Sequence, residues 1–144
     1  MVEISLTDKA IAVYGESLNK IPLENFDEYY KRVRKESLGL IFPYFQSRTF
    51  WLRAVHFLSL KVPIRYSISV MAEKNKIYGQ RQLYLMGTLG ILIRSIDKIE
   101  RIKNIEQNTE LNKMNLVQQE SIKDNYMDLF NYAILAVLVM DRRL

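Results

Sequence analysis

Residues 120–141 read ESIKDNYMDLFNYAILAVLVMD, and the way this stretch folds decides the rest of the chain. The spacing predicts one helix over about Ser121 to Asp141. Its apolar end, Tyr132 to Met140, is far shorter than the roughly 18 uninterrupted apolar residues of a membrane span, and it follows a charged segment. It therefore reads as one end of a packed helix. The charged segment places Glu120, Asp124 and Asp128 at four-residue steps, one drifting stripe on which like charges repel. Continuing from Asp128 by three or four residues reaches Asn131 and Tyr132, then Leu135 and Val139, so the carboxylates run into the packing face. A carboxylate taken from water demands a partner, a proton or a cation.

The preceding segment predicts a longer helix over about Leu83 to Asn104, with Met86, Leu89, Ile93, Ile96 and Ile99 or Glu100 on one broad face. Asp97 follows Ile93 by four, at the edge of that face, while Arg94, Lys98 and Arg101 form a positive ridge. Antiparallel packing of the two helices would set Asp97 opposite Asp124 or Asp128. A site made of carboxylates and water suits magnesium better than zinc. Plainer roles stand beside this one. Ser121 and Asp124 fit a helix cap, Glu120 an ordinary first-turn acid, and Asp97 a partner for Arg94 or Arg101. Between the helices, residues 105–119 are rich in Asn and Gln and read as a connection.

Upstream, a helix is predicted over residues 6–19, broken at Ile21-Pro22, and a second begins near Glu24 or Asn25 and bends at Gly39 and Pro43. Ser47 to Leu60 has a wide apolar face, and Pro63 suits the first turn of another helix. PIRYSISVMAEKNKIYGQ alternates in part, but Ile64, Ile68 and Met71 share a helical side. The expectation is one all-α helical bundle over residues 1–144. With 144 residues and 49% apolar positions, the chain can bury a core unaided. The absence of cysteine rules out disulfides and thiolate chemistry, and the single histidine, His56, rules out a histidine-rich metal cage within one chain. His56 itself reads as a satisfied residue at the core edge. The start, MVEISLTDKAIAVYG, lacks a secretion-signal pattern, which sets a cytoplasmic expectation.

The net charge of +5 is uneven: residues 41–82 hold seven Lys/Arg against one acid, Glu73. A basic centre interleaved with Trp51, Phe57 and Tyr66 leaves a nucleic-acid partner open, against the plainer reading of a solvated surface.

Three blocks carry a family resemblance: EKNKIYG at 73–79, GILIRSIDKIER at 90–101 and ESIKDNYMDLFNYA at 120–133. In this order they resemble a phage-associated nucleotide-modification family formerly known only as a domain of unknown function. That family is similar in organisation to the MazG-like, all-alpha nucleoside triphosphate pyrophosphatases. The resemblance covers a core at about 63–141 and leaves residues 1–60 unassigned. It implies a helical homo-oligomer, with a dimer favoured, that cleaves an NTP or dNTP with Mg2+. Carried over here, Asp97, Glu120, Asp124 and Asp128 would hold the metal, and Lys74, Arg94, Lys98 and Arg101 would receive phosphates. Glu120, Asp124 and Lys98 would do the chemistry. Ile77 stands where the family commonly has an acid, and Tyr126 where it often has a small residue. The alternative is a viral or archaeal nucleic-acid-binding or structural protein with a degenerate site, in a host cytoplasm if viral.

Overall fold

The computed structural model describes residues 5–20, 47–78, 81–108 and 115–143, and among them every regular element is a helix. The elements are α1 (Leu6–Lys20), α2 (Arg48–Ser59), α3 (Ile64–Tyr78), α4 (Arg81–Asn108) and α5 (Leu116–Met140). The all-α expectation holds, including helix rather than strand over the partly alternating segment after Pro63. The helix expected from Glu24 or Asn25 and the bend at Gly39 and Pro43 lie outside the described residues. No described helix is long and apolar enough to cross a membrane.

Local chemistry starts these helices. Ser5 accepts from the Asp8 backbone amide at 3.1 Å, and Ser47 accepts from that of Phe50 at 3.3 Å, each satisfying a donor the helix leaves orphaned. At α5 the side chain of Asn115 accepts from Gln118 N at 2.8 Å, and the Gln118 side chain accepts from Asn115 N at 3.0 Å. This capping box corrects the cap expected from Ser121 and Asp124. It starts α5 at Leu116, so Glu120, Asp124 and Asp128 sit inside a helix rather than at its end. The connection from α4 is correspondingly shorter than the expected 105–119.

Beyond Asp128, α5 is apolar around its whole circumference except at Asn131, a pattern that suits the centre of a bundle. Phe130, Ala133, Ile134, Ala136, Val137 and Leu138 are sealed from solvent, and α5 packs against α1, α2, α3 and, most extensively, α4. From α1, Ala10 and Val13 are buried, and Ser17 Oγ donates to Leu52 O of α2 at 2.6 Å. From α3, Ser67, Ile68 and Met71 face inward, and Ser67 O accepts from Asn131 Nδ2 of α5 at 3.0 Å. Asn131 thus fills the helix interface, as its position in the sequence suggests. His56 is buried as expected, but its Nδ1 has no hydrogen-bond partner among the described residues.

The buried face of α4 differs from the expected one. Ile91, Leu92, Ser95, Ile99 and Ile102 face the core, while Leu89 and Ile93 are exposed. Ser95 occupies a core position because its hydroxyl donates to Ile91 O at 2.8 Å, which removes most of the cost of burying it. A register built on apolar residues alone passes over such a serine and turns the helix the wrong way. Earlier in α4, Gly87 has φ 60° and ψ −165°, a break in the helix that a side chain would strain. Gly87→Ala is expected to destabilise the protein by about 1–2 kcal/mol, read as a lower urea midpoint at unchanged slope.

Where α1, α2 and the end of α5 meet, Arg48 binds Asp141 through Nε at 3.0 Å and also reaches Glu16, with Arg143 at the same cluster. The hydrogen bonds it donates to Asp141, then Glu16, hold its guanidinium charged well above the ordinary arginine range. Because the cluster is part-exposed, Arg48→Met should cost only about 1 kcal/mol, measured by thermal denaturation.

Candidate active site between α4 and α5

Lys98 of α4 and Asp128 of α5 form an ion pair at 3.0 Å. That contact lies ten residues before the end of α4 and twelve after the start of α5. A parallel arrangement would need the connection to span about 33 Å, more than the roughly 29 Å an eight-residue step can reach, so the two helices run antiparallel. On the solvent side of this contact they diverge into an open cleft of about 530 Å³. Its lining is Lys98 and Arg101 from α4, and Leu116, Val117, Glu120, Ser121, Asp124, Asn125 and Asp128 from α5. The volume lies within the range of small-molecule sites.

The cleft changes character along its length. At one end Leu116 and Val117 are 78% and 77% exposed, an apolar lip at the first turn of α5. At the other, Asp128 meets Lys98 and, from α3, Lys74 Nζ at 3.8 Å. The Lys98 side chain is only 17% exposed, so its charge is held in place by Asp128 rather than left to sample solvent. Between the two ends, Glu120 and Asp124 are exposed and make no ion pair among the described residues. Their charges remain uncompensated one turn apart.

Several residues named from the sequence meet here: Glu120, Asp124, Asp128, Lys98 and Arg101 line the cleft, and Lys74 reaches its end. Asp97 and Arg94 do not line it. Asp97 lies on the exposed face of α4 and pairs with Arg101 at 3.2 Å, a consequence of the turned register described above. Among the described residues no three His, Cys, Asp or Glu side chains are placed to hold a metal ion by themselves. The basic middle of the chain is partly neutralised, Arg48 by Glu16 and Asp141 and Lys74 by Asp128 from other segments, and Lys76 by Glu73 from within it. Asn125 was not among the residues singled out in the sequence, although it follows Asp124 directly and shares the inner edge of α5 with Ser121 and Asp128.

A family model described as Nucleotide modification associated domain 1 matches residues 88–140. The matched segment covers less than half of the chain. It contains every residue that lines the cleft, from Lys98 to Asp128. Comparison with curated proteins and with solved structures gives no match.

Proposed function

We propose that the α4/α5 cleft binds a nucleoside triphosphate or deoxynucleoside triphosphate and hydrolyses it with Mg2+, in the manner of the MazG-like pyrophosphatases. The observation that carries this reading is the facing of Lys98 and Arg101 by three carboxylates of α5 in one cleft, wholly within the segment that resembles Nucleotide modification associated domain 1. Glu120 and Asp124 fit Mg2+ in the way that ion is usually held, by one or two carboxylates together with substrate phosphates and water rather than by a complete protein cage. Asp128, engaged by two lysines, instead fixes Lys98. When bound, Mg2+ would neutralise phosphate charge and make the α-phosphorus more electrophilic.

The chain's own groups supply the rest. Lys98 and Arg101 orient the phosphates and stabilise charge that grows on the leaving oxygens. Glu120 or Asp124 accepts a proton from a water that attacks the α-phosphorus. The new bond is from water oxygen to the α-phosphorus, and the bond to the bridging α,β oxygen breaks. A nucleoside monophosphate and pyrophosphate leave. The Leu116/Val117 lip supports the base, whose faces favour apolar contact.

A screen of common NTPs and dNTPs with magnesium is expected to show pyrophosphate release that a Glu120→Gln/Asp124→Asn double variant lacks; equal release by both would defeat the reading. A Leu116→Asp/Val117→Asp variant should raise KM about 10-fold with little change in kcat, because the lip contributes binding rather than chemistry. The exposed Leu89 and Ile93, one turn apart on α4 after the break at Gly87, support self-association as a homodimer. Sedimentation at micromolar concentration tests this, and a strict monomer would overturn it. Nucleic-acid binding by the basic middle would instead give salt-sensitive association lost on neutralising Arg65 and Lys61.

A further inference from the structure

Leu60, Lys61, Pro63, Arg65 and Tyr66 are exposed around the turn that joins α2 to α3, Leu60 at 68% and Tyr66 at 59%. Between them Val62 and Ile64 pack against the core. The turn is tied from both sides. The backbone amides of Leu60 and Lys61 donate to Phe57 O at 3.0 Å and Leu58 O at 2.9 Å, and Ser67 donates to Pro63 O through its amide at 2.9 Å and its hydroxyl at 2.8 Å. The exposed side chains therefore stand on a fixed frame, ordered before any partner arrives.

The charge around them has one sign. Residues 47–72 contain no Asp or Glu, and Lys61 and Arg65 make no ion pair among the described residues. Lys61 Nζ instead lies 5.6 Å from the centre of the Phe57 ring. An anionic partner complements such a turn, and nucleic acid and an anionic lipid surface both qualify on charge. The apolar atoms decide between them. Trp51 and Phe57, which could stack on bases, are buried in the core, so Tyr66 alone is left as a stacking surface. The most exposed apolar group of the turn is aliphatic, Leu60, which a phosphate backbone does not reward and the acyl boundary of a bilayer does. Tyr66, an apolar ring with a polar tip, suits the headgroup level, and the long stems of Lys61 and Arg65 let their charges stay there too. We infer that the α2–α3 turn docks on the surface of an anionic lipid bilayer, with Leu60 entering the acyl boundary and Lys61 and Arg65 on the headgroups. This is adhesion, compatible with described helices that cannot span a membrane, and it does not depend on the cleft between α4 and α5.

Co-sedimentation of the full chain with lipid vesicles tests the inference. Vesicles of phosphatidylcholine and phosphatidylserine in equal parts should retain the protein at low salt, and vesicles of phosphatidylcholine alone should not. Lys61→Gln and Arg65→Gln should each weaken retention about 5-fold, a loss that shrinks as salt is raised. Leu60→Ser should weaken it about 10-fold with the salt dependence unchanged. All three positions are exposed, so the melting temperature should stay near that of the wild type and the losses read the surface rather than the fold. No retention on the mixed vesicles, equal retention on phosphatidylcholine alone, or wild-type retention of either Lys61→Gln/Arg65→Gln or Leu60→Ser would overturn the inference. Salt-sensitive binding to an oligothymidylate strand, lost in the double variant and intact in Leu60→Ser, with no binding to vesicles, would assign the turn to nucleic acid and overturn it as well.

Discussion

Asp124→Asn should lower magnesium-dependent pyrophosphate release by at least about 100-fold while leaving the melting temperature in chelator unchanged or slightly raised. Asp124 is exposed, makes no ion pair among the described residues, and stands one turn from Glu120 and Asp128. Removing its charge therefore relieves repulsion in the empty protein and costs little packing. The same change takes away a carboxylate that would bind the cation or receive a proton from water. A mutation that is harmless to the fold and ruinous to turnover separates chemistry from architecture. Asp128→Asn should behave differently, because it would leave Lys98 short of its carboxylate in a part-buried position. A loss of about 1–2 kcal/mol of stability is expected there along with lost activity. Parallel melts and rate measurements on the two variants check the contrast.

Phe130→Ala should destabilise the protein by about 3–5 kcal/mol. Phe130 is sealed from solvent on α5, the helix that packs against every other described helix, and its loss would open a cavity at the centre of the bundle. That loss is a large share of the roughly 5–15 kcal/mol by which domains are stable. Urea unfolding should show the midpoint falling steeply. A change below about 1 kcal/mol would mean that α5 is not the centre of the core.

The sequence made α5 legible because two signals agreed: an apolar run too short for a membrane, and a carboxylate stripe leading into it. It also exposed the cleft's acids and Lys98, since charge at regular helical steps is visible without coordinates. It misplaced Asp97 because the register of α4 depends on Ser95, a polar residue whose burial is made affordable by a bond to its own backbone. Asn125 escaped notice for a related reason. An asparagine beside an aspartate has no signature until the partner of its amide nitrogen is known. The start of α5 turned on the reciprocal side-chain bonds of Asn115 and Gln118, which the more familiar Ser121/Asp124 pattern obscured. Lys74 and Asp128 are 54 positions apart in the sequence, and only the packing of α3 against α5 brings them together.

On the function we propose, a nucleotide with magnesium lies between α4 and α5. The direct measurement is a backbone amide NMR titration of the full chain with an α,β-methylene nucleoside triphosphate and Mg2+. Shift changes gathered at Lys98, Arg101 and residues 116–128, and lost in the Glu120→Gln/Asp124→Asn variant, are the expected result. Saturating changes confined to α1 and α2, or no changes at millimolar ligand, would contradict it.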